Sequence, residues 1–510
     1  MSVSEDSLEH TDNPEKGNRL DKTSPIFTLY EVVKKTIIPL IFGVLTYERS
    51  VKVQIIIISV VSFFSLFSIL QYWFYHYWIK ADKIEIKEGI FFKKNRKVPY
   101  TRIQNVNVLQ NPLHRILKVA TLQLESASGG KPEAVMRVVN LATVDKIKKA
   151  VKNAGHSVAE TQVVEDKIEK QESLIAVKTK DVIKYGLISQ KGMFYGAILF
   201  GFMAQNQALV AWIMKYLTVF YKVPDFSHIT LAEGLLYVLI MGSIIFVFLQ
   251  LMSVLWALMK FYGFKLNKHE DRLHAQMGLI SKVSATIPLK RIQLYRISEN
   301  PLHKYFKART ITIETAGGVN TDKSGIVMRW LAPYIAKVQV KGFMAEIEPK
   351  IKLGSVNWQL IPQRAWRRVF KRSLIILALV TITAYAVTSL PYFELKKFAW
   401  LIPFLLLPVV YFYAKNYVKK TAYFINDDII CFKSGVWFGK QSFVKISKIQ
   451  TVEVLESPFD RRNKMATLEI DTAGSNPILH HVKIPYLEVA DAFEMRDFIR
   501  KKLKSMEFNW

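Results

Sequence analysis

Long apolar runs without charged side chains alternate along the chain with stretches in which apolar and polar residues follow a two-residue period. The runs that lack Asp, Glu, Lys and Arg are Val53–Ile79, Gly192–Met214, Gly234–Met259 and Ser373–Phe393. Each is long enough to cross a bilayer core, which takes roughly 20 helical residues. Two weaker segments, Thr36–Tyr47 and Phe398–Ala414, pair with neighbouring runs. The pattern therefore predicts about six transmembrane helices in three hairpins, with a re-entrant or interfacial helix as the alternative for the first segment.

The stretches that follow the hairpins predict β-strands. Ile84 and Ile86 alternate with polar residues ahead of Gly89, which indicates a strand that ends in a tight turn where glycine supplies a positive φ. Leu122 and Leu124 show the same period, as expected for a strand with one buried face. Each stretch predicts a strongly bent sheet or small barrel, and a C-terminal helix follows most clearly in the last one.

The three β-rich stretches carry the same motifs at the same spacing. In each copy the Gly precedes the Gln by fifteen residues, the Gln precedes the Pro by eight, the Pro precedes the Thr by nine, and the Thr precedes the Ala by six. Self-similarity of this kind predicts one structural unit used three times. The motifs are Gly89, Ile103-Gln104, Asn111-Pro112-Leu113, Thr121-Leu122 and Glu125-Ser126-Ala127; Gly278, Ile292-Gln293, Asn300-Pro301-Leu302, Thr310-Ile311 and Glu314-Thr315-Ala316; and Gly435, Ile449-Gln450, Ser457-Pro458-Phe459, Thr467-Leu468 and Asp471-Thr472-Ala473.

The net charge of +29 arises from 71 basic and 42 acidic side chains. The basic residues lie beside the apolar runs and no nucleic-acid-binding motif is present, so a lipid bilayer is the expected partner and nucleic acid is not. Loops inside the predicted hairpins carry few basic residues, whereas the segments between hairpins carry many. The positive-inside rule then predicts a multi-pass protein of the cell membrane whose termini and β-rich domains are cytoplasmic. One such basic segment contains Arg364, Arg367, Arg368, Lys371 and Arg372.

The predicted organisation is a membrane α+β fold in nine parts. The first residues are polar and mixed in charge, so no signal peptide is expected there. The parts are a disordered cytoplasmic tail (1–24), transmembrane hairpin 1 (25–79), β-rich domain 1 (80–155), a cytoplasmic linker (156–190), hairpin 2 (191–260), domain 2 (261–347), a basic juxtamembrane segment (348–372), hairpin 3 (373–415) and domain 3 (416–510).

The motif run Gly … Arg-Ile-Gln … Pro-Leu … Thr-Leu … Glu-Ser-Ala resembles the bacterial pleckstrin-homology-like (PH-like) membrane domain family, and the resemblance covers nearly the whole chain. It implies that each β-rich domain is a seven-stranded bent sheet capped by one helix. It also implies a plasma-membrane location, a small partner membrane protein with a single such domain, and a role in tolerance of membrane-active toxins. The third copy departs from the pattern, with Ser457 and Asp460 where the second has Asn300 and His303.

No catalytic, cofactor-binding or metal-ligating constellation is found in the sequence, and its single cysteine, Cys431, cannot form an internal disulfide. His114 and His303 recur at equivalent positions, where they either sense pH or a phosphate or are polar turn residues. Basic residues near the turns are candidate contacts for anionic lipid head groups or a protein partner. These are Lys93, Lys94, Arg96, Lys97, Arg102, Arg115, Arg291, Lys304 and Arg461.

Three function classes follow from these patterns. The first is a membrane scaffold or interaction protein whose three PH-like domains lie at the inner leaflet. The second is a transporter or channel, which the absence of charged residues from the apolar runs disfavours. The third is an enzyme, which no residue constellation supports, so no catalytic activity and no cofactor are expected.

Overall fold

The computed structural model describes most of the three β-rich stretches and part of the apolar segments. The described residues are 17–27, 72–90, 92–126, 133–153, 173–205, 231–315, 329–351, 353–354, 356–388, 401–472 and 482–505, with single positions between 55 and 70 and at 211 and 215. The chain divides into two compact units. Of the described residues, those up to 267 and 274–286 belong to the first unit, and 268–273, 287–315 and those from 329 onward belong to the second.

The elements of the first repeat and of the following segment alternate between short strands and helices. They are β1 (Asn18–Arg19), β2 (His76–Ile79), β3 (Lys83–Glu88), β4 (Lys94–Pro99), β5 (Ile103–Gln110), α1 (Pro112–Ile116), β6 (Val119–Ser126), β7 (Ala134–Asn140), α2 (Leu141–Asn153), β8 (Ile175–Ala176), α3 (Thr179–Ile188), α4 (Lys191–Gln205) and α5 (Leu231–Phe261). The predicted strands around Ile84, Leu122 and Leu124 are β3 and β6, and the side chains of these three residues are buried.

The second and third repeats contain the same elements in the same order. They comprise β9 (Lys265–His269), β10 (Arg272–Met277), β11 (Lys282–Pro288), β12 (Ile292–Glu299), α6 (Pro301–Tyr305), β13 (Ala308–Thr315), β14 (Trp330–Ala336), α7 (Val340–Ile347), β15 (Gln359–Leu360), α8 (Trp366–Thr388), α9 (Leu401–Lys420), β16 (Ala422–Ile425), β17 (Ile429–Ser434), β18 (Gly439–Lys445), β19 (Ile449–Leu455), α10 (Pro458–Arg462), β20 (Met465–Thr472), β21 (Val482–Glu488) and α11 (Val489–Ser505).

The strands form four antiparallel sheets, and two of these sheets combine strands from two repeats. A four-stranded sheet has the order β1-β2-β3-β4, and a seven-stranded sheet has the order β7-β6-β5-β11-β10-β9-β8. A second seven-stranded sheet has the order β14-β13-β12-β18-β17-β16-β15, and a three-stranded sheet has the order β19-β20-β21. Each repeat therefore contributes an N-terminal and a C-terminal half-sheet. Halves from successive repeats join through β5–β11, called the first joint below, and through β12–β18, the second joint.

Short strands that precede the apolar segments complete the sheets. Strand β1 pairs with β2, β8 with β9, and β15 with β16, so each repeat begins before its apolar helices and resumes after them. With this strand each repeat has seven, the number implied by the family resemblance. The predicted tail (1–24) therefore includes β1, and the predicted linker (156–190) includes β8 and α3.

The cores are built from the buried faces of these half-sheets and the helices that follow them. In the first unit, Ile84, Tyr100 and Leu122 are fully buried with Ile147 of α2 in one hydrophobic cluster. In the second unit, one cluster contains residues of β12, β18, β20, β21 and α11. Burial of apolar surface is the main stabilising term for such cores, at about 1.5–3 kcal/mol for each large side chain.

Helix α5 packs closely against the helices that precede it because small residues lie at the contact. A Cβ on Gly192 would lie 2.2 Å from the Cα of Ser253, and one on Gly186 would lie 2.6 Å from the Cα of Val254. The Ser253 hydroxyl is fully buried and donates a hydrogen bond to the Gly186 carbonyl oxygen at 2.8 Å. Small residues that allow close backbone approach are typical of helix packing in membranes.

The prediction of about six transmembrane helices in three hairpins is wrong for the part of the chain that the structure describes. There, one helix is long and apolar enough to span a bilayer, at Leu239–Phe261 within α5. Helix α8 begins with a cluster of basic residues, and α9 contains Pro408 and Lys415. Most of predicted hairpin 1 lies outside the described residues. For the described residues, the apolar runs therefore predicted more spanning helices than helix length and composition support.

Candidate functional site

The turn at the end of each N-terminal half-sheet has a conformation that requires glycine. Gly89, Gly278 and Gly435 have φ values of +110°, +111° and +103°, which confirms the predicted positive φ. A Cβ on any of them would lie 2.0 to 2.1 Å from the backbone oxygen three residues later. Only glycine fits such a site without strain. The three turns therefore have one geometry, and each presents its next residues at a tip.

The turn tips, of which residues 89, 90, 92, 278–281 and 435–438 are described, carry exposed apolar side chains. Phe92 is 86% exposed and Trp437 is 51% exposed. Exposed aromatic residues of this kind are enriched where proteins meet the membrane interface.

Two of the tips lie beside the C-terminal end of an apolar helix. At the second tip, the backbone N–H of Leu279 donates to the carbonyl of Met259 in α5 at 3.1 Å. At the third, the ring of Trp437 lies 5.7 Å from that of Tyr413 in α9. These two tips are thereby held beside the C-terminal part of an apolar helix.

The predicted basic contacts are distributed over the turns and the strands beside them. Lys93, Lys94, Arg96 and Lys97 are exposed along β4 and the residue before it, and Arg96 forms an ion pair with Glu88 at 3.3 Å. Arg102, Arg115 and Arg461 are exposed, and Arg291 is half-buried. The Lys304 ammonium reaches the third tip, where it donates to the Val436 carbonyl at 3.3 Å. The structure thus brings Lys304 to a tip and aligns the first four residues on one strand edge.

A basic cleft beside the third tip was missed from the sequence. Its lysines are Lys420, Lys433 and Lys440, and its volume is about 90 Å³. Glu299 and Arg309 also line it, but their 3.0 Å ion pair leaves the cleft with a net positive charge. The lysines are the last residue of α9 and members of two adjacent strands, so no local motif connects them. Lys420 also donates to the Val436 carbonyl at 3.4 Å.

The environment of Lys433 favours an anionic partner. Its ammonium group lies 4.5 Å from the ring centroid of Trp358, and partial burial lowers the pKa of its side chain. A neighbouring negative charge would compensate that lost hydration. Three lysine side chains therefore line one cleft at the end of an apolar helix.

His114 and His303 are buried structural residues rather than exposed sensors. His303 belongs to the capping box of α6 with Asn300, and its Nε2 lies 3.0 Å from the Thr310 hydroxyl. Burial lowers the pKa of His303 to about 4, although the Glu299 carboxylate opposes this shift. In the third repeat Asp460 takes the same capping position with Ser457. At this turn, His303 and Asp460 are therefore capping residues of the short helix.

The two joints show how half-sheets of successive repeats dock. At the first, Gln110 pairs with Lys282, and at the second, Glu299 pairs with Gly439. In both, the residue two positions before the motif proline faces the residue four positions after the turn glycine. Leu294 faces Val444 across the second joint, and both side chains are buried in one cluster. The second joint therefore combines a backbone ladder with apolar packing.

Comparisons with known proteins agree with this repeat structure. The family model described as "Bacterial PH domain" matches residues 35–155, 196–341 and 367–503. The UPF0699 transmembrane protein YdbT of Bacillus subtilis (strain 168) is 25% identical to the chain over 458 residues, which cover 88% of this chain and 90% of that protein. No solved structure matches the chain. The three matches together span most of the sequence and coincide with the three repeats, so the chain belongs to the bacterial PH domain family.

Proposed function

We propose that the chain is a membrane-anchored scaffold whose PH-like half-sheets dock by strand pairing under the inner leaflet. The observation that supports this role best is the joining of half-sheets from successive repeats in a single register at both joints. Edge-to-edge strand addition is a common mode of protein recognition, because the backbone supplies affinity and the flanking side chains supply specificity. A catalytic activity is not part of the proposal.

The proposed location is the cell membrane, with the termini and sheets on the cytoplasmic side. Helix Leu239–Phe261 supplies an anchor, and the related YdbT protein is named a transmembrane protein. Arg364, Arg367 and Arg368 immediately precede or begin α8, which fits the enrichment of basic residues on the cytoplasmic side.

Anionic lipid head groups are the proposed small ligands. The apolar tips and the basic cleft occur together in the third repeat, where Trp437 is exposed and Lys420 ends an apolar helix. Each basic side chain near an anionic surface contributes about 1 kcal/mol of attraction. A cleft with three lysines can therefore select an anionic head group over a zwitterionic one.

The scaffold role is tested first by native mass spectrometry of the full chain, extracted gently from its own membrane. A protein partner at fixed stoichiometry, or retained anionic lipid, is the expected result. If a folded sample retains neither, the scaffold proposal fails and flux measurements on the transporter alternative become the next step.

The lipid site is tested by the same method after addition of phosphatidylglycerol and phosphatidylcholine in equal amounts. The variant Lys420→Gln/Lys433→Gln should retain several-fold less phosphatidylglycerol than the unmodified chain. Lys501→Gln/Lys504→Gln removes the same charge from helix α11 and serves as the matched control. Equal retention by both variants would contradict a role for the cleft.

The family resemblance extends the proposal to a small partner membrane protein with one PH-like domain and to tolerance of membrane-active toxins. Cells that lack the chain should become more sensitive to a membrane-active peptide, and expression of the chain should restore growth. Unchanged sensitivity would remove toxin tolerance from the proposal and leave the scaffold role to its own test.

A further inference from the structure

Strands β4 and β19 occupy the same places in their repeats as the strands that form the two joints. Strand β4 follows the turn glycine of its repeat, as β11 and β18 do, and β19 precedes the motif proline, as β5 and β12 do. In the sheets formed by the described residues, β4 is the last strand after β3, and β19 is the last strand beside β20. Within those sheets, one strand that follows a turn glycine (β4) and one strand that precedes a motif proline (β19) therefore each have an edge without a neighbouring strand.

We propose that β4 of one copy of this chain pairs with β19 of a second copy, so that copies associate head to tail by the same strand pairing that connects the repeats. This proposal rests on the scaffold role and names the partner for these two edges. The interface is heterologous, because each copy contributes a different strand to it. Such contacts generate rings when the rotation closes and open chains when it does not.

The shared register of the joints specifies which residues would meet between copies. In both joints the residue two positions before the motif proline faces the fourth residue after the turn glycine. The same rule places Glu456 opposite Lys93. Continuing along the antiparallel strands places Glu453 opposite Arg96, and Leu455 opposite Lys94.

The charges on the two edges fit this register. Strand β4 and the residue before it carry Lys93, Lys94, Arg96 and Lys97, whereas Glu453 and Glu456 lie on β19 and directly after it. Opposite charges directly across an antiparallel pair stabilise it, and like charges destabilise it. A symmetric β4–β4 pair would bring basic residues together, so the charges favour β19 as the partner of β4.

Lysine on an edge strand also has a protective role, because it prevents indiscriminate pairing with other strands. That role alone explains β4 but not the carboxylates of β19 at the two facing positions. A basic edge excludes most strands and admits one whose acidic side chains are in register. The two edges together thus indicate a selective interface between copies.

Cysteine cross-linking of the full chain in its own membrane tests the proposal. The variant Lys94→Cys/Leu455→Cys places one thiol on each edge at facing positions, and the natural Cys431 is buried. Facing residues have Cβ atoms roughly 4.5–5.5 Å apart, close enough for a disulfide after small adjustment. Mild oxidation should give a ladder of dimers and higher multimers on a non-reducing gel.

Two control variants make the result decisive. Lys94→Cys/Gln450→Cys keeps both thiols on the same strands but out of register, so it should give little or no ladder. Lys282→Cys/Gln110→Cys spans the first joint and should form a bond within one chain, which confirms folding and oxidation. No ladder in the first variant while the joint control forms its bond would overturn the proposal, and so would equal ladders in and out of register.

A cross-link from either edge to a different protein would also overturn pairing between copies, yet it would leave the scaffold role intact. The absence of every partner and lipid in native mass spectrometry would instead remove the scaffold role itself. The two failures are therefore distinguishable.

Charge reversal supplies an independent test of the register. Added to the Lys94→Cys/Leu455→Cys chain, Arg96→Glu and Glu453→Arg should each reduce cross-linking about threefold or more, because each brings like charges together. The chain that carries both reversals restores an opposite pair and should recover cross-linking. Failure of the double reversal to recover, in a folded protein, would contradict the Arg96–Glu453 pairing.

Discussion

Strands β4 and β18 occupy the same place in their repeats but have different neighbours. Strand β18 lies between β17 and β12, and its Phe443 and Val444 are each 1% exposed. Strand β4 has β3 on one side, and its first four residues are exposed. At the position shared by Phe443 and Lys97, the side chain is therefore buried and apolar in the second joint and exposed and basic on the open edge. The difference is local, because the next residue, Val444 or Val98, is a buried valine in both strands.

The largest expected difference concerns one position that the two strands share. Phe443→Ala removes a buried ring that faces Tyr295 across the second joint, and it should lower the free energy of unfolding by about 3–5 kcal/mol. Lys97 is the equivalent residue in β4, and Lys97→Ala should change that free energy by no more than about 0.5 kcal/mol. Denaturant unfolding in detergent measures both. Similar losses for the two variants would show that β4 is also covered.

The turn glycines should come next in size. Gly278→Ala forces a positive φ on alanine and a contact with the Ser281 carbonyl oxygen, so it should cost about 1–3 kcal/mol or more. Because this turn precedes β11, hydrogen exchange should also become faster in the first joint. Gly342→Ala in helix α7 meets open space and is the control, with an expected gain of about 0.4–1 kcal/mol. A neutral Gly278→Ala variant would show that the turn can rearrange.

Lowering the pH should change the stability contributions of two equivalent capping residues differently. These are His303, which follows the second joint, and Asp460, which follows the open edge of β19. His303 has a folded-state pKa of about 4, below its usual value of 6.5, so the unfolded chain binds more protons between these values. Stability is therefore lost as pH falls, and this group should remove about 2 kcal/mol between pH 7 and pH 5. The pKa of Asp460 is lowered: burial alone would raise it, but hydrogen bonds from Ser457 and Arg368 outweigh burial. Its contribution is thus lost only at lower pH.

Unfolding at pH 7 and pH 5 measures this difference. The variant His303→Asn should show a smaller loss between the two pH values than the unmodified chain. His269→Asn changes an exposed residue at the end of β9 and is the control. An unchanged pH dependence in His303→Asn would contradict the assignment to His303.

The smallest effect on folding is expected at Arg96. Arg96→Gln breaks its ion pair with Glu88, but both side chains are about one-third exposed or more, so the free energy of unfolding should fall by no more than about 0.5 kcal/mol. The same variant should still weaken association between copies. If Arg96→Gln instead unfolds the first repeat, Arg96 is a structural residue. Strand β4 could then no longer be treated as an open edge in contrast to the covered strand β18.

The sequence predicts those features that local spacing determines. The positive φ at Gly89, Gly278 and Gly435 follows from a glycine at the end of an alternating strand, and the strands β3 and β6 follow from the two-residue period. The joints were not predicted, because pairing between Gln110 and Lys282 depends on residues far apart in sequence and leaves no periodic signal. Two-residue strands such as β1, β8 and β15 are too short to show a period at all.

Separation along the sequence also explains which site residues were predicted and which were missed. The four basic residues between Lys93 and Lys97 are close in sequence and were found, whereas Lys420, Lys433 and Lys440 converge only after folding. The prediction of six spanning helices failed for a related reason. It counted uncharged residues in each run, but α8 begins with basic residues, α9 contains Pro408 and Lys415, and one described helix, at Leu239–Phe261, is long and apolar enough to span a bilayer.

Pairing between β8 and β9 has a consequence for the order of events during synthesis. Ile175 faces Leu266, and helices α3, α4 and α5 all lie between them in the sequence. When β8 leaves the ribosome, its partner strand has not been made, and the whole of α5 must be synthesised first. The seven-stranded sheet that ends in β9 and β8 can therefore acquire β8 only after α5 has been translated. Synthesis of α5 and completion of the sheet are therefore consecutive steps, and a fragment that begins at β9 lacks a strand of this sheet.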